Sequence, residues 1–109
     1  MQPLTRVTPA TIDVLHTFVE SSDALWGLRV IKESGRPAGS VYPILERLES
    51  LGWVASRWEE DDSRPGPRRR YYELTDGGAV AARAAIASFV EARRPKAAPS
   101  VIATSAVTA

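Results

Sequence analysis

Ser40, Tyr42 and Arg47 fall on one side of the stretch Gly39-Ser-Val-Tyr-Pro-Ile-Leu-Glu-Arg-Leu-Glu-Ser-Leu-Gly52. Hydroxyls of this kind suit phosphate oxygens, and a guanidinium can pair two-pronged with the edge of a guanine. A second set of guanidiniums follows at Arg64, Arg68, Arg69 and Arg70, groups that suit phosphates and narrow, negative grooves. Those donors need a platform, and the same stretch provides one. Val41, Ile44, Leu45, Leu48 and Leu51 recur at helix spacing and form a dry stripe opposite Ser40, Tyr42, Glu46, Arg47, Glu49 and Ser50. Gly52 supplies the left-handed residue that stops such a helix. A helix that reads DNA has this make-up, and so do many surface helices. In the plainer reading Arg47 pairs with Glu46, Glu49 or a carboxylate on another element.

Other chemistries find little to work with. The chain has no Cys, which excludes disulfides, thiolate chemistry and a Cys-based zinc site. His16 is its single His, with neither a second metal ligand nor a nucleophile beside it, so a structural role is expected. With no Gly-rich phosphate loop either, no catalytic constellation, metal site or cofactor is expected. The net charge of +1 says little about a polyanionic partner, but its distribution says more, because Glu59-Glu-Asp-Asp62 is followed closely by the arginine cluster. A near-neutral domain can still present a basic face, and the alternative is that these charges solvate a loop. No apolar run approaches a membrane span and no signal pattern opens the chain, so a cytoplasmic location is expected.

The 109 residues have room for one core. Residues 1–8 lack periodicity and read as a flexible arm. Thr8-Pro9 starts a first helix, to about Ser21, with Ile12, Leu15, Phe18 and Val19 on its apolar face. Asp23 can cap a second helix, from about Ala24 to Glu33, burying Leu25, Leu28 and Ile31 with Trp26 and Val30 at the margin. The third helix starts near Ser40, which puts Pro43 in its first turn, or nearer Pro37, which sets the Pro43 ring against the Gly39 carbonyl. Trp53 to Trp58 and Arg68 to Leu74 read as two strands of a hairpin with a polar tip from Glu59 to Pro67. Tyr72 shares the face of Leu74 and is the core choice, leaving Tyr71 outward. Thr75 caps a fourth, Ala-rich helix ending at Arg94, and residues 95–109 read as a disordered tail.

Helix, helix-turn-helix and β-hairpin make a mainly α, α+β winged helix-turn-helix order. Two segments then resemble the PadR family of transcriptional regulators. Gly39-Ser-Val-Tyr-Pro-Ile-Leu-x-x-Leu-x-x-x-Gly52, followed by Trp53-Val54, looks like its recognition helix. Arg70-Tyr-Tyr-Glu-Leu-Thr75-x-x-Gly78 is similar to its second wing strand and the helix start that follows, and Trp26-Gly27-Leu28 matches the opening of its second helix. The matches run over about residues 11 to 90. The resemblance implies a homodimeric DNA-binding regulator, usually a repressor, on an inverted repeat. It implies that Ser40, Tyr42 and Arg47 face double-stranded DNA, that Pro43 shapes the helix end, and that Arg64, Arg68, Arg69 and Arg70 serve the wing. The last helix and the first would build the dimer, through Leu15, Phe18, Val80, Ala84 and Phe89, with residues 9–75 as the DNA-binding domain and 76–94 as the dimerisation helix.

Leu28 departs from the family, which often has Tyr there, and the acidic run would repel phosphate unless turned away. The chain runs only a short way past the fourth helix, so the larger C-terminal domain of many relatives, with any effector site built from it, is not expected. A small hydrophobic effector between two copies, near Trp26 or Phe89, remains an expectation, with core packing as the alternative role for both rings. The competing function is a winged-helix protein-interaction module that does not touch DNA.

Overall fold

A computed structural model describes residues 1–60 and 63–93. The elements run α1 (Pro9–Glu20), β1 (Leu25–Trp26), α2 (Gly27–Ser34), α3 (Ala38–Ser50), β2 (Val54–Trp58), β3 (Arg70–Leu74) and α4 (Asp76–Ala92). Thr8 caps α1, its side chain accepting from the Thr11 N–H at 3.2 Å, with Pro9 at the first helical position where its missing donor costs little. Ile12, Val14, Leu15 and Phe18 of α1 enter the core beside Val30 of α2 and Val41, Leu45 and Leu48 of α3. The apolar stripe of α3 thus lies where its spacing requires. Ile44 and Leu51 pack at the edge of the same cluster.

Two ends of α3 were open on sequence and are now defined. Its first residue is Ala38, so Pro43 is internal and leaves the Gly39 carbonyl without its intrahelical donor. At the other end Gly52 (φ 85°) donates to the Glu49 carbonyl at 3.1 Å and Trp53 donates to Leu48 at 2.8 Å. This paired closure needs a left-handed residue, and it turns the chain directly into β2.

The second helix differs from expectation. Leu25 and Trp26 leave it to form β1, an antiparallel partner of β3 in the register Leu25↔Tyr72 and Trp26↔Tyr71. The expected two-stranded hairpin is therefore a three-stranded sheet, in the order β1-β3-β2. Asp23 caps nothing. Its N–H and carbonyl both bond the Ser21 hydroxyl in a turn, while Trp26 takes the N-cap position of α2 without a side-chain bond. The later start also changes which side faces inward: Val30 is fully buried and Leu28 is 55% exposed, the reverse of the pattern expected from spacing.

In the sheet, Val54↔Leu74 and Ser56↔Tyr72 are paired, and Tyr72 is buried with Tyr71 only partly covered, as alternation requires. β3 begins at Arg70 rather than Arg68. Thr75 caps α4 by accepting from Gly78, 2.9 Å, and donates to the Gly52 carbonyl at 2.8 Å, which ties the start of α4 to the end of α3. α4 packs along α1, placing Ala82 in the core with Ala81, Ala85, Ile86 and Phe89 at its margin. The first eight residues carry no secondary structure, yet they are pinned: Gln2 donates to the Leu51 carbonyl and accepts from the Trp53 indole at 2.6 Å. The expected end of the last helix at Arg94 and the tail at 95–109 lie outside the described residues.

Candidate nucleic-acid interface

The dry side of α3 is turned into the core, so its other side is the face of this helix left to meet anything else. Arg47, Tyr42, Pro43 and Glu46 are exposed there, with Ser40 half-buried, and Pro43, Glu46, Arg47 and Ser50 line a shallow open depression. The pairing of Arg47 with Glu46 or Glu49 that the sequence allowed is not made. Glu49 is occupied elsewhere, and no acidic side chain among the described residues pairs with Arg47. The Tyr42 hydroxyl likewise has no hydrogen-bond partner among them.

The wing arginines are placed very differently. Arg64 reaches back to Glu59, with Nη2 2.7 Å from Oε1, and its guanidinium also donates to the carbonyls of Pro65 and Pro67. The Arg64 guanidinium holds the Glu59 carboxyl below its ordinary value, helped by the Arg69 N–H. One residue of the acidic run, Glu59, is thereby paired within the tip; Glu60 is exposed, and Asp61 and Asp62 lie outside the described residues. Arg69 lays its guanidinium 3.8 Å from the centre of the Trp26 ring, and its Nε is buried without a hydrogen-bond acceptor among the described residues. Arg70 lies 5.0 Å from the Trp58 ring centre and 3.5 Å from the Glu49 carboxylate, which also accepts from the Ser56 hydroxyl. Arg64, Arg69 and Arg70 therefore brace the wing against itself, β1 and α3. Arg68 is exposed at the base of β3, and it too has an interaction within the chain.

Sequence reasoning missed the groove these residues enclose. Between the start of α2, Tyr42 and the wing lies an open cavity of about 390 Å³, lined chiefly by Trp26, Tyr42, Trp58, Arg69 and Arg70. Trp58 is 53% exposed and Leu28, on the rim, 55%. An exposed Trp at the end of a predicted strand was the available signal. Arg57 was also missed: it is exposed on β2, 5.5 Å from the Tyr71 ring centre. The Tyr72 hydroxyl points its pKa upward because of burial, with Arg70 opposing, so it stays a neutral donor at ordinary pH.

Two expected dimer residues need correction. Leu15 is completely buried and Phe18 is 4% exposed, both within the core of one chain, so neither has surface left for a second copy. Of the rest, Val80 is 71% exposed, Ala84 is exposed, and Phe89 is half covered, with the Arg93 guanidinium 4.3 Å from its ring centre.

The sequence profile of the transcriptional regulator PadR-like family matches residues 16–84, which contain α2, α3, the wing and the first half of α4. The chain belongs to that family. It is a family of transcription regulators, not of enzymes. The PadR-like fold is also seen in solved structures: a PadR family transcription regulator from Clostridium difficile R20291 is 23% identical, with a TM-score of 0.61 over 76% of this chain and 91% of that one. Smu.1704 from Streptococcus mutans UA159 is 22% identical and superposes with a TM-score of 0.63, covering 97% of this chain and 99% of its own. Wild-type MarR from E. coli, at 25% identity and a TM-score of 0.58, covers 71% of this PadR-like chain and 53% of its own. No curated protein sequence matches. Among the described residues of this PadR-like chain, no helix is long and apolar enough to cross a membrane.

Proposed function

We propose that this PadR-like regulator acts as a homodimer that binds an inverted-repeat operator in the cytoplasm and represses the gene it controls. The observation that carries the reading is the outer face of α3, where Arg47 and the Tyr42 hydroxyl are exposed, with no polar partner among the described residues, on a helix whose other face is locked into the core. A helix of that width fits a major groove, with the N-terminal residues leading. Ser40 and Tyr42 would contact phosphates and fix register, and Arg47 would read a base edge. Pro43 shapes the leading end. Arg68 and Arg57 are the wing cations with most exposure toward a flanking backbone, while Arg64, Arg69 and Arg70 shape the wing that carries them.

A second copy would meet the outer strip of α4, where Val80, Ala84 and Val90 leave apolar surface uncovered and Phe89 lies at the edge. A small hydrophobic effector near Trp26 or Phe89 would meet rings that each have one face taken by a guanidinium. Gel-shift with the DNA upstream of its own coding region tests the reading, alongside light scattering on the eluting protein. A shifted duplex with two protected half-sites and a dimeric mass supports it. A monomer at micromolar concentration, or no shift at low salt where phosphate contacts are strongest, overturns it.

A further inference from the structure

We propose that Gly27 is a positioning residue for operator binding, because the bare backbone at the start of α2 sets where the Tyr42 hydroxyl stands. The inference deepens the reading above and rests on it. A methyl group at position 27 would lie 2.5 Å from the Tyr42 hydroxyl oxygen, 2.7 Å from Cε1 and 2.9 Å from Cζ. All three distances are well inside contact, so the Tyr42 ring lies directly against the α2 backbone in space that only a glycine leaves. Gly27 is buried, while Tyr42 is 44% exposed, so the ring rests on α2 and stays open to solvent at the groove it helps line.

Backbone conformation does not require this glycine. Its φ is not positive, unlike those of Gly35, Gly52 and Gly66, and it occupies the first turn of α2. On helix propensity alone an alanine there is better than a glycine. The requirement comes from Tyr42, and the side chain that must yield is the far end of a ring on two rotatable bonds. Gly27→Ala therefore swings the hydroxyl aside at little cost to the fold. A tyrosine fixed on α2 presents its donor at one place relative to Arg47, and a hydrogen bond to a phosphate needs that placement before binding, not after.

The test is a double-mutant cycle on a duplex selected from a random pool by the wild-type protein, with Gly27→Ala, Tyr42→Ala and the double variant. Tyr42→Ala is expected to weaken binding about tenfold, the worth of a charge-assisted hydrogen bond. Gly27→Ala should lose a similar factor with Tm unchanged or raised, shift the Tyr42 ring resonances of the free protein, and have almost no further effect once Tyr42 is alanine. Additive losses, or full binding by Gly27→Ala alongside a weakened Tyr42→Ala, overturn the inference and leave the DNA reading standing. Full binding by Tyr42→Ala overturns the inference and the contact given to Tyr42 while DNA binding stands; failure to select any duplex overturns the reading beneath it and the inference with it.

Discussion

Arg47 on α3 and Arg69 on the wing carry the same group into opposite surroundings. Arg47 is exposed and has no acidic partner among the described residues, with the helix behind it held by fully buried Leu45 and Leu48. Arg69 is spread over Trp26 with its Nε shut away from water. In sequence the wing, with four arginines within seven residues, looks like the stronger cationic site. In the fold, three of those four hold the wing in shape, whereas the arginine of α3 is exposed with no acidic partner among the described residues. Charge density along a chain therefore does not locate a binding face. Three of the four wing charges already have partners, in Trp26, Glu49 and Glu59.

The sharpest break in this comparison comes from Arg47→Ala, which should cost binding about 1–3 kcal/mol, the worth of a bidentate base contact, with Tm within a degree or two of wild type. Arg69→Ala should do the reverse, lowering stability by about 1 kcal/mol through loss of the stacked guanidinium, read as a Tm drop of roughly 4–8 °C. Arg69→Lys should not restore it, since an ammonium lacks the planar face that lies on Trp26. Smaller still is the Glu49–Arg70 pair. It is partly exposed, so Glu49→Gln should cost about 0.5 kcal/mol or less in denaturant unfolding. The smallest effect is at the wing tip. The Glu59 carboxyl is held below its ordinary value by Arg64, so its contribution is complete above the unfolded pKa and fades as pH falls through the lowered one. Hydrogen exchange at the tip should accelerate in acid in the wild type and show no such step in Glu59→Gln.

The contrast also marks which features sequence can reveal. The stripe of α3, the closure at Gly52 and the caps at Thr8 and Thr75 were readable because each depends on residues within one or two turns of each other. The split of Tyr72 inward and Tyr71 partly outward followed from strand alternation alone. The start of α2 was not readable, because Leu25 and Trp26 are drawn into a sheet by Tyr72 and Tyr71, far along the chain. That recruitment moved the helix start and exposed Leu28 in place of Val30. The roles of the wing arginines were hidden for the same reason, their partners being distant in sequence. The dimer role of Leu15 and Phe18 is what the family resemblance implies, and the apolar spacing of α1 does not say whether the chain's own core or a second copy covers that face. Here the core covers both.

The central claim is that the outward face of α3 reads the duplex and the wing arginines chiefly support it. The most direct measurement is the ratio of affinities for a selected duplex and a scrambled one of equal length, at one salt concentration, for wild type, Arg47→Ala and Arg69→Ala. The account predicts that the ratio falls at least tenfold in Arg47→Ala and holds in whatever fraction of Arg69→Ala is folded. An unchanged ratio in Arg47→Ala, with the loss appearing instead in folded Arg69→Ala, would contradict it.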